Sequence, residues 1–451
     1  MAGSKSAVRM TEGSISRALI KFSVPILLGN IFQQLYNTAD ALIVGNLVGD
    51  TALAAVSSVG SIIWLLIGVF NGFAQGSGVI IARYFGAKDD EGLKKAVHTH
   101  VILCFVGGVL LAVIGVLMSP VIISLMNTPE TVIHQSEIYL KIFFAGGVGL
   151  TLYNGCTGLM QAVGDSRHPL YYLIFSSCFN VVLDIVLIRN FGMGVDGAAL
   201  ATIISQFISA ILCLARLFRV NEVYRLELKS LRVDKAILKQ IFSFGVPAAI
   251  QNGITSFANT MIQANINAFG DMAMAGVGAM TKIEGFLTQP IVSLGMALST
   301  FTSQNLGARE LERAKKGAKY GVLADMGIAF VLGIIFRIFG RQLIGMFTHA
   351  PEAVEFGLRR VAICGFFYFA LAATHALAGV MRGAGKPMVT MVAFVGCWCV
   401  LRVIILQTLV PVCNSIDLVF AVFPITWCAS TIYLGAYFFS GKWLRVRDID
   451  A

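Results

Sequence analysis

The sequence predicts an all-α membrane protein with twelve transmembrane helices. They form two six-helix lobes related by a pseudo-two-fold axis along the membrane normal. Three observations predict this. Of the 451 residues, 57% are hydrophobic and only 13% charged, against about 25% charged in an average soluble chain. Apolar runs of roughly 20 residues, the length that spans a bilayer as a helix, recur throughout. The first half of the chain also matches the second in an ordered series.

The runs fall at about 15–43, 52–82, 94–118, 132–160, 168–188, 197–218, 238–267, 272–303, 317–339, 355–381, 387–411 and 417–439. Strands do not fit, because a barrel alternates apolar and polar residues over segments of about 10. The polar start MAGSKSAVRMTEGSISR has no apolar core followed by a small-residue cleavage site, so the first span is expected to direct insertion itself.

The net charge of +10 sits in the loops. In a soluble protein it would favour nucleic acid; here it sets orientation, and no nucleic-acid partner is expected. Placing the N-terminus in the cytoplasm leaves 26 of the 34 Lys and Arg residues inside, among them Lys94, Lys95 and the run from Arg216 to Lys239. By the positive-inside rule both termini are expected in the cytoplasm. Nine cysteines are scattered over apolar spans without converging on other ligands, and read as small buried residues rather than a metal site.

The internal match holds a nearly constant offset. Phe22, Val24, Pro25 and Asn30 recur as Phe244, Val246, Pro247 and Asn252, 222 residues later. Gly49-Asp50, Gly86-Ala87, Lys94-Lys95 and Gly164 recur 221 residues later as Gly270-Asp271, Gly307-Ala308, Lys315-Lys316 and Gly385. Pro169 finds its match in Pro387 after a short gap. Six spans per unit return the chain to its starting side, so the halves share one orientation. The expected division is an N-terminal lobe over 1–219, a cytoplasmic linker over 220–237 and a C-terminal lobe over 238–451. Repeat-built transporters place cargo near the midplane and rock their halves in alternation. That architecture favours a transporter over a channel, a receptor or a structural protein.

Polar residues lie where the bilayer makes them costly. Asn30, Gln33, Asn37 and Asp40 share one face of the first span, with Gln34 beside it. Asn180 and Asp184 are one turn apart on the fifth span, Thr202 lies on the sixth and Asn154 on the fourth. For Asn37, Asn154 and Thr202 taken singly, a buried packing group is an equal alternative. A carboxylate at mid-bilayer costs roughly 2.5–3.5 kcal/mol and is an expensive packing device, so Asp40 and Asp184 read as functional. Two carboxylates in a low-dielectric pocket resist simultaneous ionisation. Such a pair can take a proton on one side and release it on the other. The same oxygens, with an amide and a hydroxyl, can instead hold a hard cation such as sodium. Any metal site would then be Asp40, Asn180, Asp184 and Thr202.

The second half departs from this pattern. Asn252, Ser256, Asn259 and Gln263 repeat the polar stripe on the seventh span, but Met261 or Ile262 stands where Asp40 would be, and Arg402 where Asp184 would be. Lys282, Glu284, Asp325 and Arg402 are its expected buried charges, with Glu284 and Arg402 as a structural pair. Gly45-x-x-x-Gly49 and Gly72-x-x-x-Gly76 allow close helix approach. No phosphate loop, Ser-His-Asp arrangement or metal-ligand cluster stands out, which disfavours an ATP-driven pump or an enzyme.

FSVPILLGNIFQQLYNTADALIVGNLVG in the first span, ARYFGAKD after the second, LMQAVGDSRHP after the fourth and NVVLD in the fifth resemble the multidrug and toxic-compound extrusion (MATE) family of bacteria. SFGVPAAIQN, SQNLGARE and VMRGAGKP carry the likeness through the second half. The resemblance implies a monomeric antiporter of the bacterial plasma membrane without a cofactor. It would export amphiphilic, often cationic compounds against protons or sodium, and confer antibiotic resistance. It implies ion coupling by Asp40, Asn180, Asp184 and Thr202. Polar cavity residues would be Gln34 and Asn154, beside Gln33 and Asn37 of the stripe. One branch of the family carries an acid on the seventh helix, where Thr255 stands here, so a second-half cation site of that type is not implied. The competing function is a lipid-linked-glycan flippase, which would want a basic cavity for diphosphate.

Overall fold

A computed structural model describes residues 8–126 and 130–445. Among these residues the regular structure is helical. In the first half the helices are α1 (Ile15–Leu47), α2 (Asp50–Ala87), α3 (Asp90–Leu125), α4 (Glu130–Ala145), α5 (Gly147–Ala162), α6 (Arg167–Ile185) and α7 (Val195–Arg219). The second half holds α8 (Lys235–Asn267), α9 (Asp271–Gly307), α10 (Leu311–Gly345), α11 (Pro351–Cys364), α12 (Tyr368–Gly383), α13 (Pro387–Ala393), α14 (Arg402–Cys413) and α15 (Ile416–Phe439).

Among the described residues nine helical segments are long and apolar enough to cross a membrane, and the bent pair α4–α5 makes a tenth. Ten of the twelve expected spans therefore meet that test. The seventh and eighth, α8 and α9, reach 33 and 37 residues but carry too many polar side chains to meet it. The fourth span is not straight. α4 and α5 meet at 52°, where Gly146 and Gly147 let the helix break. A Cβ on Gly147 would lie 3.0 Å from the Gly108 carbonyl oxygen. The tenth span breaks at the matching place, through a 3₁₀ turn at Gly365–Phe367.

The sequence repeat is also a backbone repeat. Left-handed or otherwise positive-φ residues fall in pairs 221 apart: Gly49 and Gly270 (φ 114° and 93°), Lys88 and Arg309 (56° and 60°), Gly164 and Gly385 (90° and 75°). Glycine meets that demand without strain; Lys88 and Arg309 sit there in the turns that close α2 and α9. Asp89 then caps α3, accepting from the Gly92 N–H at 3.0 Å.

Packing divides the chain into two compact units. The first holds Leu28–Gly245, with Val8 at its edge. The second holds Arg9–Leu27 and the chain from Val246 onward. Within the first, α5 packs against α2, α3 and α7; within the second, α12 packs against α9, α10 and α15. The outer faces are apolar. Phe105, Leu110, Val113, Ile114 and Leu117 on α3 are exposed, as are Leu323, Val331 and Ile338 on α10. Exposed apolar bands on helices that bury polar groups are the pattern a bilayer imposes.

The charged stretch 220–237 lies in the first unit. Tyr224 and Leu226 are buried there. The Glu227 and Asp234 N–H groups donate to His98 Nε2 at 3.1 Å and Thr99 Oγ1 at 3.0 Å. The second unit takes in the start of the chain. Met10 is fully buried, its N–H donates to Gln304 at 3.1 Å, and its carbonyl accepts from Asn305 and Arg313. Arg313 also donates to the Glu12 and Gly13 carbonyls at 2.9 and 2.8 Å.

Candidate functional site

In the first unit α1, α4, α6 and α7 supply the polar groups. Along α1, Gln33 is exposed and Gln34, Asn37 and Asp40 are half-buried. On α6, Asn180 and Asp184 are fully buried. Asp184 stands in the last turn of that helix, two residues before a π-helical turn at Val186–Asn190. Such widened turns recur at functional sites. Thr202 faces them from α7 and is also buried.

The fold brings Asp40 and Asp184 within electrostatic range of one another, and neither Asp184 oxygen has a hydrogen-bond partner. Tyr36 of α1 and Tyr139 of α4 lie within electrostatic range of the two carboxyls, and the buried Thr202 hydroxyl has no hydrogen-bond partner. Neither the nitrogen nor the oxygen of the Asn180 amide has a hydrogen-bond partner. Orphaned buried amides are rare and need an explanation such as an ion, a water or a ligand. Beside Asn180 is a small cavity lined by Gln33, Tyr36, Tyr153, Ser176, Asn180 and Ser205, among others. Every polar lining group is an amide or a hydroxyl, the neutral oxygen donors that suit a water or a hard cation.

Four of the eight sequence-derived residues thus converge: Asp40 with Asp184, and Asn180 and Thr202 next to them. Gln33 joins through the cavity. Gln34, Asn37 and Asn154 are not among the residues lining that cavity. Asn154 donates its amide to the Leu150 carbonyl of its own helix at 2.8 Å. Sequence reasoning missed Tyr36, Tyr139, Tyr153 and the α7 serines. The spacing of Ser205 and Ser209, one turn apart and one turn beyond Thr202, was the available signal. Among the described residues no group of three or more His, Cys, Asp or Glu is arranged to hold a metal ion; the oxygen set here has two carboxyls.

The second unit corrects one pairing. Glu284 on α9 does not pair with Arg402. Its carboxylate takes Arg360 of α11 on one oxygen and the Tyr368 hydroxyl, at 2.6 Å, on the other. The reason is packing: α11 lies along α9, whereas α14 lies on α15. Arg402 instead donates to Asn259 of α8 at 3.2 Å and Thr426 of α15 at 3.1 Å. Lys282 is exposed rather than buried. Asp325 is fully buried, as expected.

The MatE family pattern matches this chain twice, over residues 25–186 and again over 247–407, once in each half. The chain belongs to the MatE family. Both matched stretches open on the prolines of the internal repeat, Pro25 and Pro247. The probable multidrug resistance protein YoeA of Bacillus subtilis is 31% identical over 387 residues, covering 84% of each chain. The probable multidrug resistance protein NorM of Thermotoga maritima is 28% identical over 395 residues, 85% of this chain and 83% of that one. A protein of Shewanella oneidensis named an FAD transporter is 25% identical over 389 residues, 85% of each. Among solved structures, a MATE protein in complex with MaL6 superimposes with a TM-score of 0.89 at 21% identity over 97% of this chain and 98% of the other. A MATE protein in the bent conformation gives 0.89 at 22% identity over 100% and 99%. The MATE fold, all-helical and two-lobed, is therefore the fold of this chain.

Proposed function

We propose that this MatE-family chain is a secondary active multidrug efflux antiporter. It exports amphiphilic, often cationic compounds in exchange for protons or sodium, and its coupling site lies in the N-terminal lobe. One observation carries the reading: Asp40 and Asp184 lie within electrostatic range of one another in the first unit, with the buried Asp184 carboxyl, Asn180 amide and Thr202 hydroxyl all without hydrogen-bond partners, while the second half offers Arg402 where Asp184 would be. Two adjacent carboxyls removed from water hold one negative charge more readily than two. An incoming proton or sodium ion on this pair competes with a cationic cargo for the same charge.

In this reading Asp40 and Asp184 bind the coupling ion. Asn180 and Thr202 complete its oxygen shell, and Tyr36 and Tyr139 stand beside the pair. Gln33, Gln34, Asn37 and Asn154 face cargo. No cofactor and no enzymatic step is needed. The names of the relatives support drug export, and the Shewanella protein's name widens the range of cargo to a nucleotide cofactor. The chain works as a monomer in a bacterial plasma membrane with both termini in the cytoplasm, as the basic loops favour. The flippase reading would want a basic N-lobe cavity, and the cavity here is neutral to acidic.

The test is ethidium retention in efflux-deficient cells expressing the chain or its Asp40→Asn variant. Wild type should lower retention and the variant should restore it. Retention equal to empty vector across several dyes would refute multidrug export.

A further inference from the structure

We infer that the second unit carries an anion site at Arg402, which takes the carboxylate of an aromatic amphiphile at the polar face of α8. The inference deepens the efflux reading and rests on it for the role of the site, though not for its existence.

Arg402 is 1% exposed, on a helix that spans the membrane. Among the described residues no carboxylate oxygen lies within salt-bridge distance of it. Its two terminal nitrogens donate to neutral oxygens, those of Asn259 and Thr426, and its Nε has no partner. Two rings flank it: the guanidinium carbon lies 5.4 Å from the Trp398 centroid and 5.2 Å from that of Phe423. Arg360 lies 4.7 Å from the same Phe423 ring, and Glu284 is the carboxylate that Arg360 engages. Two guanidiniums and one carboxylate leave one positive charge in excess.

An arginine buried inside a membrane helix bundle without a counter-charge is costly, and ring contacts with two neutral hydrogen bonds offset only part of that cost. Charged residues so placed mark cargo or ion pathways. The way in is also visible. Asn259 is exposed on α8 while Arg402 lies directly behind its amide oxygen. A carboxylate that displaces that oxygen gains a charge-assisted bond from a planar donor built for it, and an attached aromatic body gains Trp398 and Phe423 as walls. Phosphate-bearing lipids would meet the same cation, but the two flanking rings favour a flat aromatic carboxylate.

Rhodamine 110 and rhodamine 123 form a matched pair: the second is the methyl ester of the first and lacks its carboxylate. Binding of each to the purified full-length protein is followed by fluorescence anisotropy, and transport of each is followed in energised inside-out vesicles. Wild type should bind the free acid more tightly than the ester. Arg402→Gln should remove that preference, weakening the acid about tenfold with the ester little changed. Asn259→Asp supplies an internal carboxylate to Arg402 and should remove the preference as well. It keeps the arginine, so it decides the matter if Arg402→Gln fails to fold. Ester bound as tightly as acid by wild type, or a preference that survives both substitutions, overturns the site. Absent transport of both dyes with the binding preference intact would count against the efflux reading and leave the site standing.

Discussion

Asp40 of α1 and Asp184 of α6 lie within electrostatic range of one another on helices far apart in sequence, and neither Asp184 oxygen has a hydrogen-bond partner. Two acids in one membrane-embedded site act as a unit, so their substitutions should not add. Asp40→Asn and Asp184→Asn are each expected to reduce dye efflux by about tenfold or more. The double variant should be little worse than either. Efflux assays on the three variants at matched membrane abundance check this; an additive loss would mean that the two acids work independently.

Tyr36, Tyr139 and Thr202 frame that pair. Thr202→Val removes the hydroxyl but keeps the shape, and so tests its place in an ion shell. If sodium is the coupling ion, the sodium concentration for half-maximal efflux should rise several-fold with folding unchanged. If protons couple, the variant should shift the pH profile and leave the sodium response flat.

Glu284 is held by Arg360 and by the Tyr368 hydroxyl at 2.6 Å. Side-chain exposures of 6% and 13% place the ion pair inside the second unit. Removing one partner from a buried pair typically destabilises by about 3–5 kcal/mol, and losing a hydrogen bond to a charged group by about 1.5–3 kcal/mol. Arg360→Ala should therefore lower the unfolding temperature in detergent more than Tyr368→Phe does. Equal, negligible shifts would show that the cluster is idle in stability.

Glycines separate into two groups that sequence alone does not distinguish. A Cβ on Gly379 would meet the Gly295 backbone, and one on Gly276 the Ala353 backbone, where nothing can move aside. Around Gly253 and Gly327 the space is open. Overpacking costs about 1–3 kcal/mol, whereas Gly→Ala on an open helix face gains up to about 1 kcal/mol of propensity. Gly379→Ala and Gly276→Ala should reduce monodisperse yield and thermal stability; Gly253→Ala and Gly327→Ala should not.

Arg313 holds the start of the chain to the second unit through three carbonyls, those of Met10, Glu12 and Gly13. Arg313→Ala should speed amide exchange over residues 10–14, with α9 and α12 protected as before. Unchanged exchange there would show that the buried Met10 side chain suffices.

Spans, repeat and membrane class were legible because they rest on signals local in sequence: apolar run length, and motifs such as Gly86-Ala87 and Gly307-Ala308 at a fixed offset. The acids of the site were legible for a related reason, since a carboxylate in an apolar run has few innocent explanations. Partners across helices were not. Glu284 chooses Arg360 over Arg402 because α11, not α14, lies along α9, and nothing in the local pattern encodes that choice. Tyr36 and Tyr139 escaped notice because an aromatic residue in a span is unremarkable until its hydroxyl is placed near the two carboxyls. The break at Gly146-Gly147 was written in the residues, but an unbroken apolar run hid it.

The most direct test of coupling at the paired carboxyls is dye flux in proteoliposomes under a pH gradient and a sodium gradient imposed one at a time. One gradient should drive dye against its own concentration difference, with the ion moving inward and the dye outward. Asp184→Asn should abolish the response to that gradient while downhill dye movement persists. Dye movement indifferent to both gradients, or a driven flux that survives Asp184→Asn, would contradict the account.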